Sequence, residues 1–520
     1  MLTKQLSTPF GKQLSINTWR TLYLLIALLI AIRVMTNQHG WVNNDSLLYF
    51  EQARLLAAKD WQAAFALFQW PFYAGLIALT HTLSGLDIHT SAQCLNAVFF
   101  VLFVAGFQQL LLVSGAKTRT LHWGMALLFS TTYLVGDILG MLLRDEGFWA
   151  AFTWGLVYWC KHSETQQAKH TLLFQACMVI ATLFRVEAIA YLAAVPLLVF
   201  VNSAMSIRQK LCRWMINSLF MIAGLIGLLS AVLLGCLQAK QLGRLQEVFS
   251  QISGVFTYRL DAMSAKASIL GQQVLGTYLD DYAHISLWST LLLIILLKTA
   301  KVTGYPTLLL LLWPKRQWWS SIHPAMQQLA PFVLITGFVV SIVIILNTFV
   351  LSSRYVIASG IVMLCLAAFA MSYLERGWAR WVKYTVITLL TLMVLNNIRD
   401  RDDIDLDRMA VNAVSNIQTI QTTVFYDTEN ARFYAHQPFM NRIDGYNRLK
   451  QVEKAGQIDQ FDIYVITPHH DTPAYEEYAL PLLEKHHFII HDILYGWRKR
   501  SKAYILIKKD IAEAQQITRP

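Results

Sequence analysis

Between residues 21 and 397 the chain is a succession of apolar runs, each close to membrane-crossing length, separated by short stretches where Lys and Arg concentrate. Runs of this length with few charges predict transmembrane helices. The first, TLYLLIALLIAIRVM at 21–35, contains Arg33 and has no small-residue cleavage site after it, so it reads as a retained span and not as a signal peptide. Cytoplasmic loops keep Lys and Arg, which orders the rest. Lys4, Lys12 and Arg20 hold the N-terminus inside, and residues 21–36 exit to a long outer loop at 37–89. Crossings follow at 91–113, 120–141, 147–160, 170–184, 188–202, 214–236, 285–313, 329–350, 356–374 and 384–397, with a second long outer loop at 237–283. The segment 285–313 counts as one broken crossing, and the short apolar stretch 71–86 as a re-entrant or interfacial helix. The expectation is a polytopic α-helical membrane protein of about eleven spans, N-terminus inside and C-terminus outside.

After residue 398 the pattern changes. A polar linker, NNIRDRDDIDLDRM, leads to TTVFYD (422–427), FDIYVITP (461–468) and AYILIKK (503–509), which read as strands separated by helical or loop segments such as EEYALPLLEKHH. This predicts a membrane domain over 1–397 and a small α/β domain over 398–520 on the outer, periplasmic face.

Composition agrees: 55% of the 520 residues are hydrophobic and 14% charged, where a soluble protein carries about a quarter charged. The net charge of +11 is accounted for by basic cytoplasmic turns. No basic domain or binding motif points to nucleic acid. The six cysteines lie in or beside apolar segments without metal-ligand spacing, and read as packing residues. His469–His470 followed by Asp471 reads as a surface loop after a strand and not as a metal site.

The ionisable residues suited to chemistry all fall at the outer ends of the predicted spans. Asp45 follows the first span; Arg144, Asp145 and Glu146 lie between the third and fourth; Arg185 and Glu187 end the fifth; Arg354 and Tyr355 end the ninth. Carboxylates beside arginines suit a reaction that moves a proton while an anionic phosphate is held. Arginine matches phosphate through its bidentate fork. A divalent cation (Mg or Mn) between two carboxylates would serve the same end. Each position also has a plainer use: Asp45 as a helix N-cap, Asp145 and Glu146 as first-turn acids, Arg185 and Glu187 as a local ion pair, Arg354 as a snorkelling side chain.

The stretch NDSLLYFEQARLLAAKDW resembles the first outer loop of GT-C glycosyltransferases, integral-membrane enzymes that use polyprenyl-phosphate sugars, in the bacterial branch of protein mannosyltransferases and the aminoarabinose transferase of lipid A. Asp45, Tyr49, Ala53, Leu56, Asp60 and Trp61 match that loop. PFYAGLIALTHTLSG resembles the family's juxtamembrane helix, LLRDEGFWAAFTW its second acidic motif, FRVEA an Arg-Pro-Glu variant with Val186 for the proline, and SSRYVIASGIVML the Arg-Tyr opening a late span. The resemblance implies that Asp45 is the catalytic base or orients it, and that Asp145 or Glu146 belongs to the second acidic site. It also implies that Arg144, Arg185 and Arg354 hold the lipid phosphate, with Tyr49, Glu187 and Tyr355 beside the substrate. Many relatives carry two adjacent acids in the first loop, whereas Asp45 stands between Asn44 and Ser46, which weakens the case for a bound metal and leaves a divalent cation open. The implied function is transfer of a sugar, with inversion, from a polyprenyl-phosphate donor to an envelope acceptor (glycolipid, polysaccharide or protein) at the outer face of a bacterial inner membrane.

Two rival classes differ in their signatures. A transporter or flippase predicts internal repeats and polar residues at mid-membrane; here the ionisable residues sit at span ends, Lys298 and Lys301 being the main exceptions. An O-antigen ligase or polymerase-like enzyme predicts a large outer loop rich in Arg and His, and 237–283, with Arg244, Arg259 and nearby His284, keeps that class open.

Overall fold

The computed structural model describes residues 15–201, 205–234, 246, 250, 259–276, 278–311, 316–400, 405–417, 422–440, 443–468, 473–496 and 501–516. The chain divides into two compact units, Met1–Asn37 with Leu56–Arg399 and Gln38–Leu55 with Asp400–Pro520. Part of the first predicted outer loop thus packs as one body with the C-terminal residues. Residues 237–245, 247–249, 251–258 and 277 of the second long loop, Arg244 among them, and the His469–His470–Asp471 run lie outside the described residues.

The first unit is helical. Six helices are long and apolar enough to cross a membrane: Ile16–Thr36, Ile88–Val113, Asp280–Thr303, Pro324–Thr348, Ser353–Gly377 and Arg380–Ile398. Two bent pairs, Thr118–Ser130 with Thr132–Met141 and Ile207–Asn217 with Leu219–Leu233, raise the number to eight if each pair is one span. The protein is accordingly a helical membrane protein. The three other predicted crossings coincide with helices Asp145–Thr165, Ala168–Phe184 and Ala188–Ala194, the last running on as a 3-10 turn to Val201. The basic turn expected around Arg208–Arg213 is itself helical and meets the next helix at 68°. A capping box between Ser206 and Gln209 starts it, and Ile207, Leu211 and Met215 recur at helical spacing beside Arg208 and Lys210.

Two packing features position the charged residues. The apolar stretch of the span Ser353–Gly377 is 94% buried and so runs inside this unit, with Arg354 and Tyr355 in its opening 3-10 turn. Helices Asp145–Thr165 and Ala168–Phe184 approach closely because the first carries glycines at the contact. A Cβ on Gly147 would stand 2.3 Å from the Phe184 ring, and one on Gly155 2.7 Å from the Met178 methyl. Small residues allow membrane helices to approach in this way.

The second unit is an α/β domain around a four-stranded sheet of order β1-β2-β4-β3: β1 Val424–Tyr426, β2 Ile463–Ile466, β3 Phe488–Tyr495 and β4 Lys502–Lys508. β1 and β2 are parallel; β4 runs antiparallel to both β2 and β3. Successive residues of β2 and β4 feed opposite cores. Ile463, Val465 and Ile505 pack toward Leu406, Ala410 and Val414, whereas Tyr464, Ile466 and Leu506 pack toward Leu449, Ala479 and Leu483. Burial on both faces is why these strands read as unbroken apolar runs. β3 was not among the predicted strands. It is an edge strand whose Ile489 and Ile490 are exposed, so FIIHDILY lacks a clean alternation.

The segment Gln38–Leu55 is stitched into this domain by backbone contacts. The Val42 N–H donates to the Tyr434 hydroxyl at 3.2 Å, Asn430 Nδ2 donates to Val42 O at 2.9 Å, and Arg408 donates to His39 O. His39 faces Asp400 at 3.1 Å, and Phe50 packs on Phe433.

Candidate functional site

In the helical unit, three chain segments bring their charges together. Leu142 adopts a left-handed backbone (φ +52°) and ends the preceding 3-10 turn, so that Arg144 caps the helix Asp145–Thr165 and Asp145 and Glu146 open it. Arg185 leaves the helix Ala168–Phe184 in extended conformation, and Glu187 begins the next helix. Arg185 Nη1 pairs with Asp145 Oδ1, and its Nη2 lies 3.5 Å from Glu187 Oε1. Arg354 Nη1 lies 3.9 Å from Asp145 Oδ2. The Tyr355 ring sits under the Arg185 guanidinium, 4.8 Å from its centroid.

Arg144, Asp145, Glu146 and Arg185 are all buried, whereas the Arg354 side chain is 30% exposed. Three arginines (Arg144, Arg185, Arg354) balance three carboxylates (Asp145, Glu146, Glu187), which suits an apolar surrounding where an unpaired charge costs several kcal/mol. The satisfaction is incomplete. Arg144 Nη1, Glu146 Oε1 and Glu187 Oε2 are buried without a hydrogen-bond partner. Arg185 spends its charge on Asp145 and Glu187, which leaves Arg354 as the most accessible cation of the group.

Two residues that the sequence did not single out hold the acidic turn in place. Asn96, fully buried on the helix Ile88–Val113, donates to Leu143 O at 2.8 Å and to Glu146 Oε2 at 3.1 Å. Tyr73 donates to Asn96 Oδ1 at 2.7 Å. The available signal was a lone Asn inside an apolar helix, QCLNAVFF. Polar residues at such positions are rare and usually partnered.

Asp45 and Tyr49 belong to the other unit. The N-cap reading of Asp45 does not hold: the helix is Asn44–Ala57, Asp45 is in its first turn, and Asn43 Oδ1 accepts the Asp45 N–H at 2.8 Å. Asp45 is instead among the residues that line a cavity of about 320 Å³, with Asp427, Thr467, Phe439, Tyr446 and Tyr475 among the others. Tyr49 is buried and is not part of that lining.

Asp427 follows β1 and Thr467 follows β2, so the cavity opens at the carboxyl ends of the two parallel strands. Ligands in α/β sheets commonly bind at such ends. Asp427 Oδ2 accepts the Thr467 N–H at 2.7 Å and the Tyr475 hydroxyl at 3.0 Å. Burial lifts the Asp427 carboxyl to about 6, although those two hydrogen bonds and the charge of Arg448 pull it down. Burial, and then the Asp427 charge, hold the Tyr475 hydroxyl well above its usual range. Arg448 pairs with Glu429. No group of three metal-ligating side chains occurs among the described residues.

No family model matches this chain, and no curated protein matches it in sequence.

Proposed function

We propose that this chain is an inverting membrane glycosyltransferase of the GT-C type. It moves a sugar from a polyprenyl-phosphate donor to an envelope acceptor at the outer face of a bacterial inner membrane. The observation that carries the reading is the buried cluster of Arg144, Asp145, Glu146, Arg185, Glu187 and Arg354. Charge is expensive to bury away from water, and a cluster of buried ionisable residues at the ends of spans is a functional candidate on that ground.

In the proposed reaction the acceptor hydroxyl oxygen attacks the anomeric carbon and forms the new glycosidic bond. The bond from that carbon to the phosphate oxygen breaks, and its electron pair leaves with polyprenyl phosphate. The acceptor proton passes to a carboxylate base, the role that the sequence resemblance implies for Asp45. Arg354, the most accessible cation, meets the lipid phosphate first, and Arg144 adds positive field. Asp145 and Glu187 hold Arg185 in position, and Tyr355 supports its guanidinium. The charge on the leaving phosphate is thereby met by arginine, and a divalent cation is not required.

A strain lacking the protein, complemented with wild type or with Arg354→Gln, tests this reading. The expected result with Arg354→Gln is accumulation of a polyprenyl-phosphate sugar and loss of the corresponding sugar from one envelope molecule, with a normally inserted protein. Unchanged donor lipid and unchanged glycans would overturn it. In isolated membranes, transfer by the wild type should survive chelation of divalent cations by EDTA.

A further inference from the structure

We infer that the cavity at the carboxyl ends of β1 and β2 is a saccharide-binding site. Asp427 and Thr467 accept and donate to sugar hydroxyls there, and Phe439 and Tyr446 form the wall for the apolar face of the ring.

The Asp427 carboxylate is 1% exposed and lines the cavity. Its Oδ2 is fixed by two donors, the Thr467 N–H and the Tyr475 hydroxyl, whereas Oδ1 has no hydrogen-bond partner. Thr467 lines the same cavity, and its buried hydroxyl stands beside the Asp427 carboxyl, where it favours the charged form. A buried acceptor left unmade is costly, and the two fixed donors hold this carboxyl in place at the cavity wall. Gly445 keeps the start of the helix Gly445–Lys454 against this group. A Cβ there would stand 2.9 Å from Asp427 Oδ2 and 3.1 Å from the Tyr475 ring, so a side chain would push into the carboxylate.

The character of the lining selects the ligand class. Asp45, Asp427, Glu429 and Asp444 stand in the lining and no Lys or Arg does among the described residues, which disfavours phosphate and carboxylate ligands there. Hydroxyl or ammonium donors are wanted instead. Tyrosine and phenylalanine walls beside hydroxyl and carboxylate groups suit a pyranose, which is apolar on its C–H face and polar at its rim. The site therefore takes a neutral sugar or an amino sugar. Its assignment to the acceptor of the transfer rests on the proposed function; saccharide binding itself does not.

Saturation-transfer-difference NMR on the full chain in detergent micelles tests the inference, with glucose and glucosamine as separate probes. The expected result is transfer into ring C–H protons. Affinity should fall about tenfold, the loss of one good hydrogen bond, with Asp427→Asn. A comparable fall is expected with Tyr446→Ala, which leaves the buried carboxylate network intact, and inorganic phosphate should not compete. Preference for glucosamine would identify an amino sugar, and equal binding a neutral one. No transfer from either probe, or transfer unchanged in both variants, would overturn the site. Saccharide binding that is lost in the variants, in a protein whose deletion leaves all envelope glycans unchanged, would uphold the site and remove the transferase reading instead.

Discussion

Arg185, which ends one helix, is ion-paired with Asp145, which begins another, and both side chains are nearly inaccessible, at 6% and 1% exposure. Breaking a buried pair by removing one partner costs roughly 3–5 kcal/mol, because the remaining charge is stranded. Asp145→Asn and Arg185→Gln should each lower the melting temperature of the detergent-solubilised protein markedly. The double variant should lose much less than the sum. Additive losses would show that the two residues act independently.

Asn96 is predicted to stabilise the acidic turn. Asn96→Ala removes the donor to Glu146 Oε2 and to Leu143 O, at a cost of about 1–3 kcal/mol for polar groups left unpaired in a buried place. Adding Glu146→Gln should recover part of the loss, since a neutral amide is cheaper to bury than a carboxylate. Thermal denaturation of the single and the double variant checks this.

Gly147→Ala should damage the cluster through packing alone. Its methyl would enter the Phe184 ring, and Phe184 immediately precedes Arg185. Overpacking of this kind costs roughly 1–3 kcal/mol. Phe184→Leu in the same chain should restore both stability and whatever activity is measured, whereas Phe184→Leu alone should be mild.

The Asp427 carboxyl gives the C-terminal domain a definite pH response. Its value in the folded state is raised to about 6, so the folded state holds the proton more tightly than the unfolded chain. That contribution is fully present below the ordinary carboxylate range near pH 4, and it is lost as pH rises through about 6. Hydrogen exchange at Thr467, whose N–H donates to this carboxylate, should become faster over that window beyond the intrinsic pH dependence. Asp427→Asn should abolish the extra acceleration.

The apolar periodicity and the Lys/Arg asymmetry carried the helical architecture, because spans are long and their signal is strong. β1, β2 and β4 were legible for a related reason: both of their faces are buried, so Tyr464, Val465 and Ile505 read as apolar runs. β3 was not, since an edge strand with exposed Ile489 and Ile490 has no such signature. At the charged cluster, the ionisable members stood out individually, but their pairing did not. Asp145 finds Arg185 across forty positions only through the close approach that Gly147 permits. Asn96 and Tyr73 were missed because one polar residue in an apolar helix looks alike whether it faces lipid or a buried carboxylate. Nor does the sequence tell that Gln38–Leu55 packs with the C-terminal domain, a relationship made by hydrogen bonds to Val42 from residues nearly four hundred positions away.

The most direct test of the transferase account is a mass-spectrometric comparison of envelope glycolipids, polysaccharides and glycoproteins. It sets a strain lacking this protein beside the same strain carrying wild type or Asp45→Asn at equal membrane levels. The account predicts one molecule that lacks a sugar in the deletion strain, regains it with wild type and does not regain it with Asp45→Asn. Full restoration by Asp45→Asn would contradict the role given to that carboxylate, and an envelope unchanged by the deletion would contradict the transferase itself.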